Sequence, residues 1–247
     1  MTYCVGMLLD KGMAFMSDTR TNSGVDNIST FRKMFSWSVP GERFITMMTA
    51  GNLATTQALI SQLEERNKAP SDRKPSILDA PTMFQIANII GTTLRDTIAA
   101  RALTGPVAAS PVPNFNASVI LGGQINGMEP RLYLIYPEGN FIEASPETPF
   151  FQIGETKYGR PILVRGFQPD MSFESAVKLL MVSFDSTMAA NLSVALPLDM
   201  LILPSDAFEP LQQRRINEDD PYFNSISDGW SDALRKAFYS LPDYVLE

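Results

Sequence analysis

Strand-like and helix-like segments follow one another along this chain in blocks, and that order constrains its fold more than any other feature. A group of strand patterns occupies residues 3–49, two helical patterns follow, and a second group of strand patterns begins near residue 116. Regular alternation of strands and helices would indicate a parallel sheet, whereas separate blocks are typical of antiparallel sheets covered by helices. We therefore expect an α+β fold built in layers.

The predicted elements are bounded by turn-forming residues and by proline or glycine. The strands are Tyr3–Leu9, Met13–Asp18, Phe31–Ser38, Arg43–Thr49, Asn116–Gln124, Arg131–Tyr136, one that starts at Phe141, and Pro197–Leu203. The helices start after Gly51, near Pro81, near Thr156, at Ser172 and near Asp228. The connections are the polar stretch Glu64–Lys74, the proline-rich stretch Gly105–Pro113 and the charged segment Phe208–Asn217.

Length and composition indicate one soluble domain. With 247 residues, 45% of them hydrophobic, the chain can bury a sizeable core, and we expect a single domain over 1–247. Its longest apolar runs are far shorter than the ~18 residues of a membrane span, and its N-terminus lacks the pattern of a secretory signal. We therefore expect a cytoplasmic protein without membrane contact.

The single cysteine and the net charge exclude two further classes of protein. Cys4 alone can form neither an internal disulfide nor a cysteine-rich zinc site, and we interpret it as a small buried hydrophobic residue. A net charge of −7 without a long basic run is the opposite of what a nucleic-acid-binding protein needs. We therefore expect no nucleic-acid partner.

The chain contains no histidine, the residue that most often serves as general base near neutral pH. This excludes Ser-His-Asp and Cys-His hydrolysis, histidine-bound zinc and H-E-x-x-H metalloproteases. A hydrolase with this sequence has three other bases available: a lysine of lowered pKa, a carboxylate of raised pKa, or the α-amino group, whose pKa is ordinarily about 7.7 to 8.0. The α-amino group suits proton transfer without special tuning of its pKa.

Thr2 is small enough for the initiator methionine before it to be removed, which would leave a hydroxyl and a free amine on one residue. A threonine hydroxyl is a weak nucleophile that needs an adjacent base, and an N-terminal amine is one recognised base. Many proteins have threonine at position 2, so the position alone is a poor signal. Thr2 is a candidate nucleophile that needs support from other residues.

Lys33 lies in a strand pattern and shares one face of it with three aromatic residues. They are Phe31, Phe35 and Trp37. A lysine buried among aromatic rings requires a lowered pKa or a carboxylate partner, and Asp18 at the end of an earlier strand is a candidate. The alternative is an edge-strand lysine that prevents aggregation, or one whose ammonium group reaches solvent. The pattern alone leaves both interpretations open.

Polar groups also occur at the ends of two predicted strands. The run Ser17–Thr21 ends one strand and by itself is an ordinary turn. Thr49–Gly51 ends another strand at a helix start, where backbone N–H groups are free to bind an oxyanion. The acidic run Glu218–Asp220 is interpreted as a solvated loop rather than as a metal site.

Taken together, these features resemble the proteasome β-subunit family, and most closely its bacterial Anbu (ancestral β-subunit) branch. The resemblance covers nearly the whole chain and rests on an ordered set of short segments. They are Thr2–Gly6, Ser17–Thr21, Lys33, Thr49–Ala54, Gly122–Gly123, Pro130–Tyr133, Tyr136–Gly139 and Ile153–Gly154. The resemblance implies a four-layer α-β-β-α sandwich, which is the N-terminal nucleophile hydrolase fold.

The resemblance also implies roles for individual residues. Thr2 would attack an amide carbonyl with its own amine as base, directly or through a water, while Lys33, paired with Asp18, lowers the pKa of the hydroxyl. The N–H of Gly51 would stabilise the oxyanion. Asp185, on the long helix, takes the position of the acidic residue that supports the amine of the nucleophile. Neither a metal nor an organic cofactor is implied.

Two positions depart from the family pattern. Glu155 stands where proteasome subunits place a serine after the glycine, and Met188 stands in place of a second serine three residues after Asp185. Either another group, such as Glu155 or Ser186, substitutes for the missing serines, or peptidase activity on ordinary substrates is weak.

Three functions follow from this interpretation. The first is hydrolysis of peptide or protein amides through Thr2. The second is a non-catalytic, ring-forming scaffold of the same fold, which the two missing serines suggest. The resemblance also implies a large ring-shaped or spiral homo-oligomer. The third is an amidase that acts on a small molecule. The sequence identifies no partner ATPase or adaptor.

Overall fold

The structure is a computed structural model that describes residues 2–22, 28–68, 75–104 and 114–246. Within these ranges the strands are β1 Tyr3–Leu9, β2 Gly12–Asp18, β3 Arg20–Asn22, β4 Ile28–Thr30, β5 Met34–Val39, β6 Arg43–Gly51, β7 Ala117–Ile125, β8 Arg131–Ile135, β9 Phe141–Glu143, β10 Phe150–Gly154, β11 Leu198–Pro204 and β12 Gln212–Ile216. The helices are α1 Leu53–Lys68, α2 Met83–Thr104, α3 Arg160–Gly166, α4 Phe173–Ala190 and α5 Pro221–Tyr239.

Two five-stranded antiparallel sheets form the centre of the fold. The first has the strand order β10-β1-β2-β11-β12 and the second has the order β5-β6-β7-β8-β9, while β3 and β4 form a separate small hairpin. The first strand, β1, therefore lies inside its sheet, between β10 and β2. The residue just before β1 is consequently held between the ends of two neighbouring strands.

Three apolar cores join the layers, because the strands present apolar side chains on both of their faces. One core lies between the sheets, one lies under α3 and α4, and one lies under α1 and α2, while α5 packs on α4. Large members of these cores, in the same order, are Phe15 and Ile120, Met7 and Phe184, and Ile45 and Leu59. The layered α+β fold expected from the order of the elements is confirmed.

Several boundaries differ from the prediction. Helix α1 continues to Lys68, into a stretch predicted to be a solvated connection, because the buried Arg66 donates a hydrogen bond to Thr93 on α2 at 2.7 Å. Helix α5 starts earlier than predicted, since Asp220 caps it by accepting a hydrogen bond from the N–H of Phe223 at 2.9 Å.

Part of the charged segment predicted to be a connection is the strand β12, which lies at the edge of the first sheet. Its polar sequence suits an edge strand and hides the alternation that identifies inner strands. The proline-rich stretch Gly105–Pro113, residues 69–74 and Met1 lie outside the described residues. Within the described residues, no helix combines the length and the apolar character needed to cross a membrane.

Candidate active site

Thr2, immediately before β1, opens onto a cavity of about 350 Å³. The cavity lies where β6 ends and α1 begins, and where β10 ends beside β1. Side chains and backbone from five segments line it, among them Thr2, Lys33, Thr49, Gly51, Leu53 and Gly154. Three of the residues predicted to act together, at positions 2, 33 and 51, therefore share one cavity.

The backbone around Thr2 is held on two sides. The N–H of Glu155 donates to the carbonyl oxygen of Thr2 at 2.6 Å, one step beyond the paired residues Tyr3 and Gly154. Gly154 has a φ of +85°, and a Cβ there would lie 1.9 Å from the carbonyl oxygen of Thr2. On the other side the N–H of Tyr3 donates to Asp18 Oδ1 at 2.9 Å. Thr2 is thus fixed between the ends of β10 and β2.

Lys33 and Asp18 form a buried ion pair beside Thr2. Lys33 Nζ donates to Asp18 Oδ1 at 2.8 Å and to the carbonyl oxygen of Arg20 at 2.6 Å. The lysine is 5% exposed and the aspartate is fully buried, so the alternative of a solvent-exposed edge lysine does not describe this side chain. A buried pair of this kind keeps its geometry because either charge alone would be costly to bury.

Lys33 does not lie on the strand that the sequence predicted for it. Strand β5 begins at Met34, after Lys33, so Lys33 is not part of the strand face that carried the prediction. Phe35 and Trp37 pack on the core under α1 and α2 instead. The chain leaves the regular strand geometry before Met34, and the lysine is consequently free to turn toward Asp18.

Burial raises the pKa of Asp18 to about 6, while the charge and hydrogen bond of Lys33 and the N–H of Tyr3 act in the opposite direction. Both of those donors bind Oδ1, and Oδ2 is buried without a hydrogen-bond partner among the described residues. The hydroxyl oxygen of the neighbouring Ser17 is likewise buried without a hydrogen-bond partner among the described residues. The charge of Asp18 therefore depends mainly on Lys33.

Gly51 ends β6 with a φ of +117°, and a Cβ there would approach a neighbouring backbone oxygen to 2.4 Å. Backbone groups of a strand point alternately to its two sides, so residues two apart point to the same side. The N–H of Thr49 donates to the carbonyl of Lys33 at 3.0 Å, and the N–H of Gly51 is directed to that same side. The pairing of β5 with β6 ends before this point, so the cavity lies there.

Proteins of known structure resemble this chain over its whole length. Anbu from Yersinia bercovieri is 45% identical, each chain is covered to 99%, and the TM-score is 0.91. Anbu from Hyphomicrobium sp. strain MC1 is 44% identical, with 99% of this chain and 100% of that chain covered and a TM-score of 0.90. This chain belongs to the Anbu family. It is thereby a member of a proteasome-like hydrolase family, and the family model described as "Proteasome subunit" matches residues 95–195.

A third relative is described as the helical assembly of the Anbu complex from Pseudomonas aeruginosa. It is 43% identical, 98% of each chain is covered, and the TM-score is 0.90. No curated protein matches the chain.

In this member of the Anbu family, a chain of hydrogen bonds anchors β1 to α4 behind the cavity. Gln152 donates to the hydroxyl of Tyr3 at 2.6 Å, and Ser183 Oγ lies 2.7 Å from that hydroxyl and donates to the carbonyl of Gly159 at 3.1 Å. Because Ser183 gives its single hydroxyl proton to the carbonyl of Gly159, the Tyr3 hydroxyl is the donor in its bond to Ser183. Burial raises the pKa of Tyr3 to about 12, which keeps this hydroxyl a donor. The anchor fixes the residue next to Thr2.

Glu155, whose backbone is bonded to Thr2, forms a second polar pair with Asn191. Asn191 Nδ2 donates to Glu155 Oε2 at 2.9 Å, and the N–H of Lys157 lies 3.3 Å from Oε1. Glu155 is 8% exposed, and its own N–H is bonded to the carbonyl of Thr2. The sequence indicated Glu155 only as a departure from the family pattern, and it gave no signal for Asn191, which lies just after α4.

The loop after α4 is bonded to the segment that follows β2. Thr19 Oγ1 donates to the carbonyl of Pro197 at 2.7 Å, and Arg20 Nη1 donates to the carbonyl of Leu192 at 2.9 Å. Asn191 is consequently held close to the ends of both β2 and β10. No motif in the sequence links these distant segments, and only the fold brings them together.

Asp185 lies outside the cavity that contains Thr2. Its Oδ1 accepts a hydrogen bond from Ser227 on α5 at 2.6 Å, and Asp185 is not among the residues that line the cavity. Met188, three residues later, packs on the core under α3 and α4. The helix turns its buried face, which carries Ser183 and Thr187, toward β1, so Asp185 points to the next helix. The structure therefore does not bring Asp185 to Thr2.

The described residues contain no group of three or more acidic side chains or cysteines that could hold a metal ion. The cavity itself carries hydroxyls, an ammonium group, a guanidinium group and backbone N–H groups. Such a set can bind and stabilise an oxyanion, and it can assist a nucleophile that has its own base.

Proposed function

We propose that this Anbu-family chain hydrolyses peptide amides with Thr2 as the nucleophile, after removal of Met1 has freed the α-amine of Thr2. The observation that carries the proposal is the shared cavity of Thr2, Lys33 and Gly51, with Lys33 held by the buried Asp18. The absence of histidine supports it, since an N-terminal amine supplies a base in the required pKa range.

In the first half-reaction the acyl group moves to Thr2. The hydroxyl oxygen of Thr2 attacks the carbonyl carbon of the substrate while its proton passes to the neutral α-amine. The N–H of Gly51 donates to the resulting oxyanion, and the ammonium group of Lys33 favours the ionised hydroxyl. When the C–N bond breaks, the leaving nitrogen takes the proton from the α-ammonium group, and an ester remains on Thr2.

In the second half-reaction water releases the acyl group. A water molecule attacks the ester carbonyl and gives one proton to the α-amine, and the oxyanion is again stabilised by the N–H of Gly51. The intermediate collapses by breaking its bond to the Thr2 oxygen, which takes that proton back. The product leaves as a carboxylic acid, and Thr2 returns to its starting state.

Glu155 is the group that supports the α-amine in this proposal. Its backbone is bonded to Thr2, its carboxylate is nearly buried, and Asn191 fixes that carboxylate by a hydrogen bond. A carboxylate close to an amine favours the charged form and raises the pKa of the amine. Glu155 takes this role in place of Asp185, whose carboxylate binds Ser227.

The test uses the chain that starts at Thr2, released from a cleavable N-terminal fusion, and a panel of peptidyl aminocoumarins. We expect turnover by the wild type, loss of turnover in Thr2→Ala, and partial turnover in Thr2→Ser, which keeps a hydroxyl beside the amine. A matched sample that retains Met1 should be inactive, because the nitrogen of Thr2 is then part of a peptide bond. Equal turnover by Thr2→Ala and wild type would overturn the proposal.

We also propose that the chain self-associates, because the relative from Pseudomonas aeruginosa is described as a helical assembly. Exposed apolar side chains on α5 and after it support this proposal, since a monomer gains nothing from exposing them to water. They include Leu234, Phe238, Leu241, Tyr244 and Leu246. Analytical ultracentrifugation should show large species in the wild type and smaller ones in Phe238→Ser.

A non-catalytic scaffold is the second candidate function, and the helical assembly of that relative favours it. A scaffold would form the same assemblies as the enzyme but would show no Thr2-dependent turnover. Assembly without any turnover in the chain that starts at Thr2 would therefore favour the scaffold.

A further inference from the structure

Arg32 carries an unbalanced positive charge at the wall of the cavity. It is exposed, it lines the cavity together with Lys33, and within the described residues no ion pair or hydrogen bond of its side chain is found. The charge of Lys33, by contrast, is balanced by Asp18 at 2.8 Å. Arg32 is therefore the cationic group in the cavity that is available to a ligand.

The rest of the cavity wall reinforces this positive potential. No carboxylate occurs among the described residues that line it. The first turn of α1 opens onto the cavity through Leu53 and Thr56 and contains no acidic residue, so the positive end of the helix is not neutralised there. Asn52 accepts a hydrogen bond from the N–H of Thr55 at 3.0 Å, which adds no charge.

Arg32 also lines a second, polar groove of about 440 Å³ that contains Arg214 and Arg215. Those two guanidinium groups are paired, Arg214 with Asp220 and Arg215 with Asp199, the latter through two hydrogen bonds of 2.8 and 3.0 Å. Their pairing leaves Arg32 as the unpaired arginine of this groove as well. Asp199 also lines this groove, but its carboxylate is bound by Arg215 and forms no ion pair with Arg32 among the described residues.

We infer that the cavity selects peptides with an acidic residue, aspartate or glutamate, on the acyl side of the cleaved bond, and that Arg32 binds its carboxylate. The inference rests on the proposed function, because attack by Thr2 determines where in the cavity the cleaved bond lies. Arg32 acts as a specificity-determining residue, and the reaction steps at Thr2 are those described above. Arginine suits this task because its planar guanidinium group binds a carboxylate through two parallel hydrogen bonds.

The acyl side follows from the geometry of the reaction. The carbonyl carbon must reach the hydroxyl of Thr2 while its oxygen reaches the N–H of Gly51, and both groups line the cavity. The side chain of that same residue branches from the carbon next to the carbonyl carbon and therefore enters the cavity. The amine on the other side of the bond has to leave, so it faces the solvent.

The first test compares matched peptidyl aminocoumarins that differ only in the residue before the reporter, Asp against Asn and Glu against Gln. We expect about a five-fold higher kcat/KM for the acidic member of each pair, because Arg32 is solvent-exposed and a partly exposed ion pair discriminates modestly. Arg32→Gln should remove the preference, and Arg32→Glu should turn it into a preference for lysine. The preference should also fall as salt is added.

The charge control is Arg160→Gln, which removes an exposed arginine that does not line the cavity. It should keep the preference for acidic peptides. Equal kcat/KM for Asp and Asn peptides, or a preference that persists in Arg32→Gln, would overturn the inference.

A binding measurement separates failure of this inference from failure of the proposed function. Acetylated tripeptide amides that end in Glu or Gln are titrated into Thr2→Ala, which cannot react. The Glu peptide should bind about five-fold more tightly, and the difference should vanish in Thr2→Ala with Arg32→Gln. If the wild type cleaves nothing, the proposed function fails, and these titrations still decide the role of Arg32. Equal affinity for both peptides would overturn it.

Discussion

Two pairs of polar groups near the backbone of Thr2 are held in different ways. On the lysine side, Asp18 and Lys33 are joined by a buried ion pair, and both lie close to the strands of the two sheets. On the amine side, Glu155 follows the bend that ends β10, and Asn191 lies in the loop after α4. The first pair is a charge paired with a charge, whereas the second is a charge held by a neutral amide.

This contrast explains why one pair could be predicted from the sequence and the other could not. A buried lysine needs a partner on energetic grounds, because an uncompensated ammonium group is costly to bury, and this argument pointed to Asp18 although Lys33 lies just before β5 and not on the predicted strand face. A glutamate in a loop makes no such demand. Its position next to Thr2 becomes meaningful only when a loop from a distant part of the chain supplies Asn191.

The largest expected effect is on the lysine side. Lys33→Met should lower kcat/KM for peptidyl aminocoumarins by at least about 100-fold, because the group that favours the ionised hydroxyl is lost. The measurement is steady-state kinetics on the chain that starts at Thr2. Lys236→Met, on the exposed surface of α5, is the matched control and should leave kcat/KM unchanged.

Loss of folding would give the same result, so a double variant is needed. Lys33→Met with Asp18→Asn removes both charges and should recover thermal stability without recovering turnover. If Lys33→Met retained kcat/KM within three-fold of the wild type, the lysine side would have no role in the reaction.

The next largest effect concerns pH. Between about 8 and 6, log kcat/KM should fall with a slope of one as the α-amine is protonated. The pKa of Asp18 is raised to about 6 by burial, so below that pH its carboxyl is neutral and no longer balances Lys33. The slope should therefore increase to two below about pH 6. A single slope down to pH 5 in a protein that remains folded would contradict the role of the ion pair.

On the amine side the effect is a shift of about one pH unit. Glu155→Gln should move the midpoint of the kcat/KM profile down by about one unit, because the carboxylate no longer stabilises the ammonium form of Thr2. In the double variant Glu155→Gln with Asn191→Asp, the negative charge lies on residue 191 instead of residue 155. The midpoint should then return to its wild-type value. A lower rate with an unchanged midpoint would mean that Glu155 has only a structural role.

The smallest effect is expected at Asp185. Asp185→Ala should keep kcat/KM within two-fold, because the carboxylate binds Ser227 and does not line the cavity. The loss of that hydrogen bond should lower the free energy of unfolding by about 1 kcal/mol. Ser227→Ala should have the same effect on stability in chemical denaturation. A large loss of turnover in Asp185→Ala, without the same loss in Ser227→Ala, would show that Asp185 supports the amine of Thr2.

Much of the fold could be predicted from the sequence because apolar periodicity and the order of elements are local signals. The layers, β1 and the start of β6 follow from them, and the resemblance to the Anbu family agrees with them. Strand β12 was missed because its edge position needs no apolar alternation. The hairpin of β3 and β4 was missed because its three-residue strands are too short to show a pattern.

Less of the site could be predicted. Thr2, Lys33 and Gly51 were indicated by strand ends and by the family pattern, and the fold brings them to one cavity. Asp185 was assigned from the family pattern alone, and its carboxylate binds Ser227 on α5 instead, a contact that depends on how the two helices pack. Arg32 was not singled out, because its importance depends on which neighbouring charges are already paired.

The central claim is that the hydroxyl and the amine of Thr2 react as one unit. A peptide epoxyketone tests it most directly, since this electrophile forms bonds to both groups of an N-terminal residue. Intact-mass analysis followed by fragmentation of the first peptide should locate one adduct on Thr2 of the chain that starts there, and none in the chain that retains Met1. An unmodified Thr2 beside an intact fold, or an adduct on another residue, would contradict the account.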